Sequence, residues 1–82
     1  MRRYFFDLRD ENGVVTDDEG IQLSTLEAVQ DEAAHALADF VRDEARRFNS
    51  HESLVRQLEI EVRDDNGAVM KVKFSFDIAR LQ

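Results

Sequence analysis

Two segments of this chain, Phe6–Val15 and Ile60–Val69, have almost the same sequence. Both consist of apolar, acidic and apolar residues, then Arg-Asp, an acidic residue, Asn-Gly and a further apolar residue. An Asn-Gly pair between alternating apolar residues is a strong signal for a β-hairpin, because both residues tolerate positive φ angles. We therefore predict two hairpins. Two hairpins that need the same turn chemistry explain the similarity; an ancient duplication is the alternative interpretation.

The alternation of side chains predicts the register of the second hairpin. A two-residue loop would place Glu61 opposite Val72 and mix polar with apolar partners on one face. A three-residue loop, with Gly67 left-handed, instead pairs like with like. Matched cross-strand pairs contribute about 0.2–1 kcal/mol each, so we predict the three-residue loop. The pairs that it creates are Val62 with Met70, Ile60 with Val72, Leu58 with Phe74, Glu61 with Lys71 and Glu59 with Lys73.

The same register applied to the first hairpin sorts strand 1 into two faces. Tyr4, Phe6 and Leu8 lie on the core face, with Leu8 opposite Thr16. The reverse face carries Arg3, Phe5, Asp7 and Arg9, and Asp7 lies opposite Asp17. An aromatic residue on the reverse face and an apposed pair of carboxylates are both unusual for a solvated surface.

Between the hairpins, residues 25–47 have the pattern of an amphipathic helix. A capping box is predicted at Ser24–Glu27, with the Ser24 hydroxyl accepting from the Glu27 amide. Arginines follow at the C-terminal end, where they complement the helix dipole. At about 35 Å, this helix is longer than strands of six to eight residues, so its end at Phe48 should project beyond the sheet. The apolar stripe of the helix consists of Leu26, Val29, Ala33, Ala36, Leu37, Phe40 and Val41.

These elements predict one α+β domain over residues 1–82, with two layers and the order ββαββ. Four antiparallel strands, at about residues 2–9, 14–18, 55–64 and 68–79, carry one long helix on one face. The sheet side of the core is predicted to contain Tyr4, Phe6, Leu8, Leu58, Ile60, Val62, Met70, Val72, Phe74, Phe76 and Ile78.

Composition excludes several classes of function. The formal charge is −7 and the chain has no cysteine, so disulfide scaffolds and thiolate chemistry are excluded and phosphate is repelled. We expect no nucleic-acid partner. No apolar run is long enough to span a bilayer, and no signal peptide is recognisable, so we expect a cytoplasmic protein without a membrane partner.

No catalytic, cofactor-binding or metal-binding residues are predicted. His35 lies on the wet face of the helix and His51 in a loop, without a nucleophile or a partner ligand nearby. The residues before each glycine do not match a helix-loop-helix calcium site. The alternative is a weak cation site, or a metal-dependent hydrolase, at Asp7 and Asp17. More often, such a pair of carboxylates is relieved by a neighbouring cation, here Arg3 or Arg9, or a lysine from an adjoining strand.

A candidate interface consists of Arg3, Phe5, Asp7 and Phe48. Phe5 makes strand 1 apolar on both faces, and three explanations remain open. Residues 20–23, including Ile21, cover the ring; a second copy of the chain covers it; or the ring is exposed. The small size of the domain favours self-association.

Arg3–Asp7, Asp10, Asp17, Gly20 and Leu26–Ala28 resemble the pattern of a bacterial family of short acidic proteins, a domain of unknown function. The resemblance covers nearly the whole chain, although members usually have proline where Arg2 stands. It implies a self-contained small domain and assigns no site residues. The segment Ser24–Ala28 is also similar to the Thr-Leu-Glu-Glu-Ala helix start of HicB-like antitoxins, although Glu32-Ala33 is out of step with that family. This likeness implies a small α+β fold that binds an RNA-cleaving partner.

From these observations we expect a small acidic, non-enzymatic protein-interaction module. A homodimer is the first hypothesis, and its acidic surface could also recognise a protein with a basic surface. The alternative hypothesis is a HicB-like antitoxin-type protein that neutralises a basic RNA-cleaving partner.

Overall fold

A computed structural model describes residues 1–46, 54–79 and 81. It is an α+β structure in which one helix lies on an antiparallel sheet of five strands, one more strand than expected. The elements in chain order are β1 (Arg2–Asp10), β2 (Gly13–Val15), β3 (Ile21–Leu23), α1 (Leu26–Arg46), β4 (Leu54–Asp64) and β5 (Gly67–Ile78).

The sheet has the order β2-β1-β4-β5, and β3 also pairs with β1. The sequence predicted one strand over residues 14–18, and this prediction was wrong. Here β2 ends at Val15, and a separate strand, β3, comes after an interruption. β2 pairs with the second half of β1 and β3 with its first half, so the two short strands lie one after the other along one edge.

The register of the second hairpin is confirmed, but its extra residue lies beyond the turn. Val62 pairs with Met70, and the predicted pairs toward Leu58 and Phe74 continue from there. At the turn, however, Asp64 pairs with Gly67, and a bulge lies between the turn and Met70. The loop therefore contains two residues, and the bulge restores the match of like faces. This is consistent with the role of bulges in setting which face each residue occupies.

The predicted register of the first hairpin was wrong by one residue. Leu8 pairs with Val15 rather than with Thr16, and the paired residues 13–15 contain no bulge. The facing of strand 1 is nevertheless as expected, because Tyr4 is buried in the core while Phe6 and Leu8 pack against it. The strand's own alternation fixes these faces, whatever its partner's register.

Helix α1 begins one residue later than the predicted capping box requires. The Thr25 hydroxyl, not that of Ser24, accepts from the backbone N–H of Ala28 at 3.1 Å, so Thr25 is the N-cap. Val29, Ala33 and Leu37 are buried in the core, as the stripe predicted, whereas Leu26 is exposed. No helix in the described part of the chain is long and apolar enough to cross a membrane.

The described part of the helix is shorter than the two longest strands. It has 21 residues and is about 31 Å long, whereas β4 and β5 have 11 and 12 residues and reach about 36–40 Å. The predicted overhang concerns the end of the helix at Phe48, which lies outside the described residues, so it stays a prediction. The whole molecule measures 50 × 22 × 17 Å, and its radius of gyration of 14.5 Å exceeds the roughly 12 Å typical of this length.

The buried core lies between α1 and the sheet, and α1 approaches β4 and β5 more closely than β1. Leu58, Ile60 and Val62 of β4 are almost fully buried. Their partners on the edge strand β5 are less well covered, and Phe74 is 43% exposed although the sequence placed it in the core. The helix packs on β5 as well as on β4, yet it leaves Phe74 partly exposed.

Candidate functional site

The loop of residues 16–20 separates β2 from β3 and forms the centre of a polar cluster. Leu8 pairs with Val15 and Tyr4 with Ile21, so three residues of β1 lie opposite five residues of the other segment. The loop must therefore leave the plane of pairing while its two ends stay in the sheet. Here, side-chain hydrogen bonds replace the missing backbone hydrogen bonds between strands.

Asp17 makes most of these replacement bonds. Its Oδ2 accepts from the backbone N–H of Phe6 at 3.0 Å, and its Oδ1 accepts from those of Glu19 and Gly20 at 3.0 and 3.1 Å. One carboxylate thus satisfies three main-chain donors that the interrupted strand no longer pairs. The Phe6 and Gly20 donors are part-buried, where an N–H group without a partner is costly, so Asp17 holds the loop to the sheet.

Asp7 and Arg63 complete the cluster from the neighbouring strands. Arg63 Nε donates to Asp7 Oδ2 at 2.7 Å, and Arg63 Nη2 donates to the Asp17 carbonyl at 2.8 Å. Asp7 Oδ1 in turn accepts from the Asp17 N–H at 2.9 Å. The side chain of Asp7 is only 15% exposed, which strengthens this charge-assisted pair relative to a surface salt bridge.

The ring of Phe5 lies beneath this cluster. Phe5 and Arg63 are cross-strand partners, and the guanidinium carbon lies 4.6 Å from the ring centroid, a cation–π contact. Gly20 borders the same ring: a Cβ built there would lie 2.9 Å from the ring and 2.9 Å from the Tyr4 carbonyl oxygen. Gly20 also has a φ of +71°, so both space and backbone conformation require glycine.

The two carboxyl groups stay ionised because of their partners. Burial by itself raises the pKa of Asp7, but the hydrogen bond and charge of Arg63 and the Asp17 amide lower it overall. Burial likewise raises the pKa of Asp17, but its three backbone donors and Arg63 hold the pKa below its ordinary value. Hydrogen bonding to Asp7 raises the pKa of Arg63. Each group is thus fixed in its charged form near neutral pH.

This arrangement makes Asp7 and Asp17 unsuited to acid–base work. A general acid or base needs a pKa near the operating pH, and theirs are lowered. Arg63 already binds the Asp7 carboxylate and the Asp17 carbonyl, and the Asp17 carboxylate binds backbone amides. Within residues 1–46, 54–79 and 81, no group of three metal-ligating side chains could hold a metal ion. The cluster is built to hold the loop in place.

The residues of the predicted interface are mostly engaged within the chain. Phe5 is half-buried by Gly20 and Arg63, Asp7 binds Arg63, and Arg3 Nη1 donates to the Glu19 carbonyl at 2.8 Å. Ile21 does not cover Phe5, because it pairs with Tyr4 and so shares the helix-bearing face. Phe48 and His51 lie outside the described residues, and His35 is exposed.

Arg63 was not predicted as the partner of the carboxylates. Its signal is the pairing of β1 with β4, which puts Arg63 beside Phe5 and within reach of Asp7. The order of strands in a sheet is a long-range property, so local patterns around Arg63 could not reveal it.

A second surface, which we call the β5 surface, lies at the opposite edge of the sheet. It comprises the helix-side residues of β5: Met70, Val72, Phe74, Phe76 and Ile78. Phe74 and Phe76 form a tilted aromatic pair with centroids 6.0 Å apart, and Phe74 is 43% exposed. No other strand of the described residues pairs with the outer edge of β5.

An open cleft of about 510 Å³ lies where β4 and β5 extend past the end of β1. Its walls include Arg9, Glu59 and Lys73, besides Leu58 and Phe74. Glu59 is already paired with Arg9 at 3.6 Å and approaches Lys71 at 4.0 Å. The cleft therefore has charged walls that largely neutralise one another, with the exposed ring of Phe74 at its border.

Comparison with known proteins gives one match. A family model described as a domain of unknown function (DUF6894) matches residues 3–75. The matched region contains the interrupted edge, the cluster around Arg63 and most of β5. No curated protein and no solved structure matches the chain.

Proposed function

Because the chain belongs to the DUF6894 family, whose function is unknown, we propose its function from its geometry: a non-enzymatic interaction module that forms a homodimer. The observation that carries this proposal is the incompletely covered β5 surface. Phe74 is 43% exposed beside Phe76, which packs against the core, so the apolar helix side of β5 reaches solvent at this position.

The area of the molecule supports the same proposal. The chain exposes 5991 Å², whereas a folded monomer of 9.5 kDa exposes about 5,000 Å². The difference of roughly 1,000 Å² is comparable to the 800 Å² or so that each partner buries in a standard interface. The elongated shape of the chain raises its exposed area, and a second copy placed against β5 would reduce the exposed area of each copy.

The non-enzymatic part of the proposal rests on the polar cluster. Its carboxylates, the strongest candidates for chemistry, bind Arg63 and backbone amides. Their lowered pKa values make them poor proton donors or acceptors at neutral pH. Their role in this proposal is to support the sheet on which the interface is built.

Sedimentation velocity over a concentration series tests the homodimer. We expect wild-type protein to dimerise in the micromolar range and Phe74→Ser to weaken association by about tenfold or more, equivalent to about 1.4 kcal/mol. Val15→Ser is the matched control, because Val15 is 70% exposed on the other edge of the sheet. A wild-type protein that stays monomeric at hundreds of micromolar would overturn the proposal.

A second candidate partner is a protein with a basic surface, as in the antitoxin hypothesis. The solvent side of α1 favours it, because Glu27, Asp31, Asp39 and Asp43 are all exposed there. Asp39 is already paired with Arg42 at 2.7 Å, so the charge of this side is partly compensated. Binding to a small basic ribonuclease should then weaken steeply with salt and with Asp31→Lys. Salt-independent binding, or none, would contradict it.

A further inference from the structure

The two edges of the sheet are built very differently. On one side, β2 and β3 have three residues each and are separated by the loop of residues 16–20. On the other side, β5 runs for 12 residues, and the chain contains no proline to interrupt it. Natural proteins usually shorten, bend or cover an edge strand, because its free N–H and C=O groups invite pairing. Among the described residues, the β2–β3 edge is short and interrupted, whereas the β5 edge carries a bulge and two lysines but keeps a straight segment over residues 70–78.

Resting on the proposed homodimer, we infer that two copies pair antiparallel through the free edges of β5, with Phe74 on the two-fold axis. In this register residues 70–78 of one copy face residues 78–70 of the other. The pairs on the helix-bearing face are then Phe74 with Phe74, Val72 with Phe76 and Met70 with Ile78.

The opposite face of β5 gives this register its specificity. Residues at odd positions point there, and the register puts Lys71 opposite Asp77 and Lys73 opposite Ser75. Symmetry makes each pair occur twice, so two Lys–Asp pairs form across the interface. Opposite charges directly across a sheet are favourable, and like charges are unfavourable. Lysines that would otherwise repel a second edge therefore select one register.

Neighbouring registers are worse. Centring the axis on Lys73 opposes two lysines, and centring it on Val72 puts Lys71 opposite Lys73. Centring on Ser75 keeps Lys73 opposite Asp77 but shortens the paired segment. The bulge between Ala68 and Met70 interrupts the regular part of β5, which sets the other limit of pairing. The register centred on Phe74 alone uses the whole straight segment without apposed like charges.

A two-fold axis perpendicular to the sheet keeps both helices on the same side. The partly exposed apolar side chains of the two β5 strands then meet in one strip between the helices. Main-chain hydrogen bonds supply pairing, and alternating side chains supply specificity, as in other strand-addition interfaces. This geometry accounts for the exposure of Phe74 in the single chain.

Charge reversal tests the register by mixing. In the K71D homodimer the introduced aspartate would lie opposite Asp77 twice, and in the D77K homodimer the introduced lysine would lie opposite Lys71 twice. We expect each variant alone to associate at least about tenfold more weakly than wild type. An equimolar mixture should recover wild-type affinity, because both cross-strand pairs in the heterodimer are again opposite in charge. Since the same monomers are present, recovery cannot come from changed monomer stability.

Single cysteines give a second measurement that does not depend on charge. The natural chain has no cysteine, so each introduced thiol is unambiguous. Phe74→Cys should form an interchain disulfide on mild oxidation, because directly opposed Cα atoms lie about 4.5–5.5 Å apart. Val72→Cys and Phe76→Cys should each fail alone and cross-link when mixed. These two variants are the matched controls for random collision.

The outcomes separate the two proposals. Recovery on mixing together with this cross-linking pattern supports pairing through β5. A wild-type dimer would leave the homodimer standing but overturn this register if the charge variants associate normally and the Phe74→Cys variant does not cross-link. A monomeric wild-type protein would overturn both.

Discussion

The two hairpins begin from nearly the same sequence and end as different structures. Both turns close in the same way: Asp10 accepts from the Asn12 N–H, and Asp64 accepts from the Asn66 N–H, each at 2.8 Å. Beyond the turns they diverge. The second hairpin inserts a bulge and continues to Ile78, whereas the first stops at Val15 and breaks into a loop.

The difference teaches that turn chemistry fixes the turn and little beyond it. In the second hairpin, side chains on both faces of β4 and β5 favour one register over eleven residues of strand. In the first, the carboxylate of Asp17 takes over main-chain bonds, and this makes a break in pairing tolerable. The course of the chain after a turn depends on the partners that the next residues find.

The largest expected effect comes from removing the Asp17 carboxylate, whose hydrogen bonds stabilise the interruption between β2 and β3. Asp17→Ala leaves three backbone N–H groups without their acceptor, so we expect a loss of about 3 kcal/mol in the free energy of unfolding. Urea denaturation at neutral pH measures it. The adjacent, exposed Asp18→Ala is the control and should change stability by less than about 0.5 kcal/mol. Equal effects would show that Asp17 does not hold the first hairpin together.

A smaller effect is expected when equivalent substitutions in the two turns are compared. Asp64 is buried and also binds Arg2 Nη1 at 3.0 Å, whereas in the first turn Asp10 Oδ1 accepts from the Asn12 N–H at an exposed position. We expect Asp64→Ala to lower stability by about 2 kcal/mol and Asp10→Ala by about 1 kcal/mol. Denaturant midpoints of the two variants measure the difference. If they coincide, the turns are energetically as well as geometrically equivalent.

The smallest expected effect is a change in how the free energy of unfolding depends on pH in acid. The pKa values of Asp7 and Asp17 are lowered in the folded state, so their stabilisation is complete above the unfolded pKa. It is lost as the pH falls from about 4 through the lower folded values. Asp17→Asn should therefore have a flatter dependence of unfolding free energy on pH below about 4 than wild type. Asp18→Asn serves as the control, and parallel curves for wild type and Asp17→Asn would contradict the linkage.

Local pattern was enough to predict much of this fold. Alternation assigned the faces of β1, β4 and β5, and the apolar stripe placed α1, because both depend on nearest neighbours along an element. Matched charges on β4 and β5 even gave the register. The predicted register of the first hairpin was wrong because Asp17 and Arg63 bind groups on other strands of the sheet. No periodicity reports that a carboxylate will replace a strand partner.

The two candidate surfaces also separate what local sequence patterns can predict from what they cannot. Phe5 was recognised as an anomaly, but its cover required the strand order that brings Arg63 beside it. Phe74 was assigned to the core because alternation reports a face and cannot report how far one helix reaches across it. How much of the sheet is covered depends on the helix that packs on it.

The interrupted edge has a consequence for the size of any assembly. Pairing through β5 consumes the one long, regular border of each copy. The outer borders of such a pair would be the short β2 and β3 segments, split by a loop that a further strand cannot follow. Assembly would therefore stop at the dimer. The Asp17 carboxylate keeps that loop in place and would thereby prevent the addition of further strands that leads to fibres.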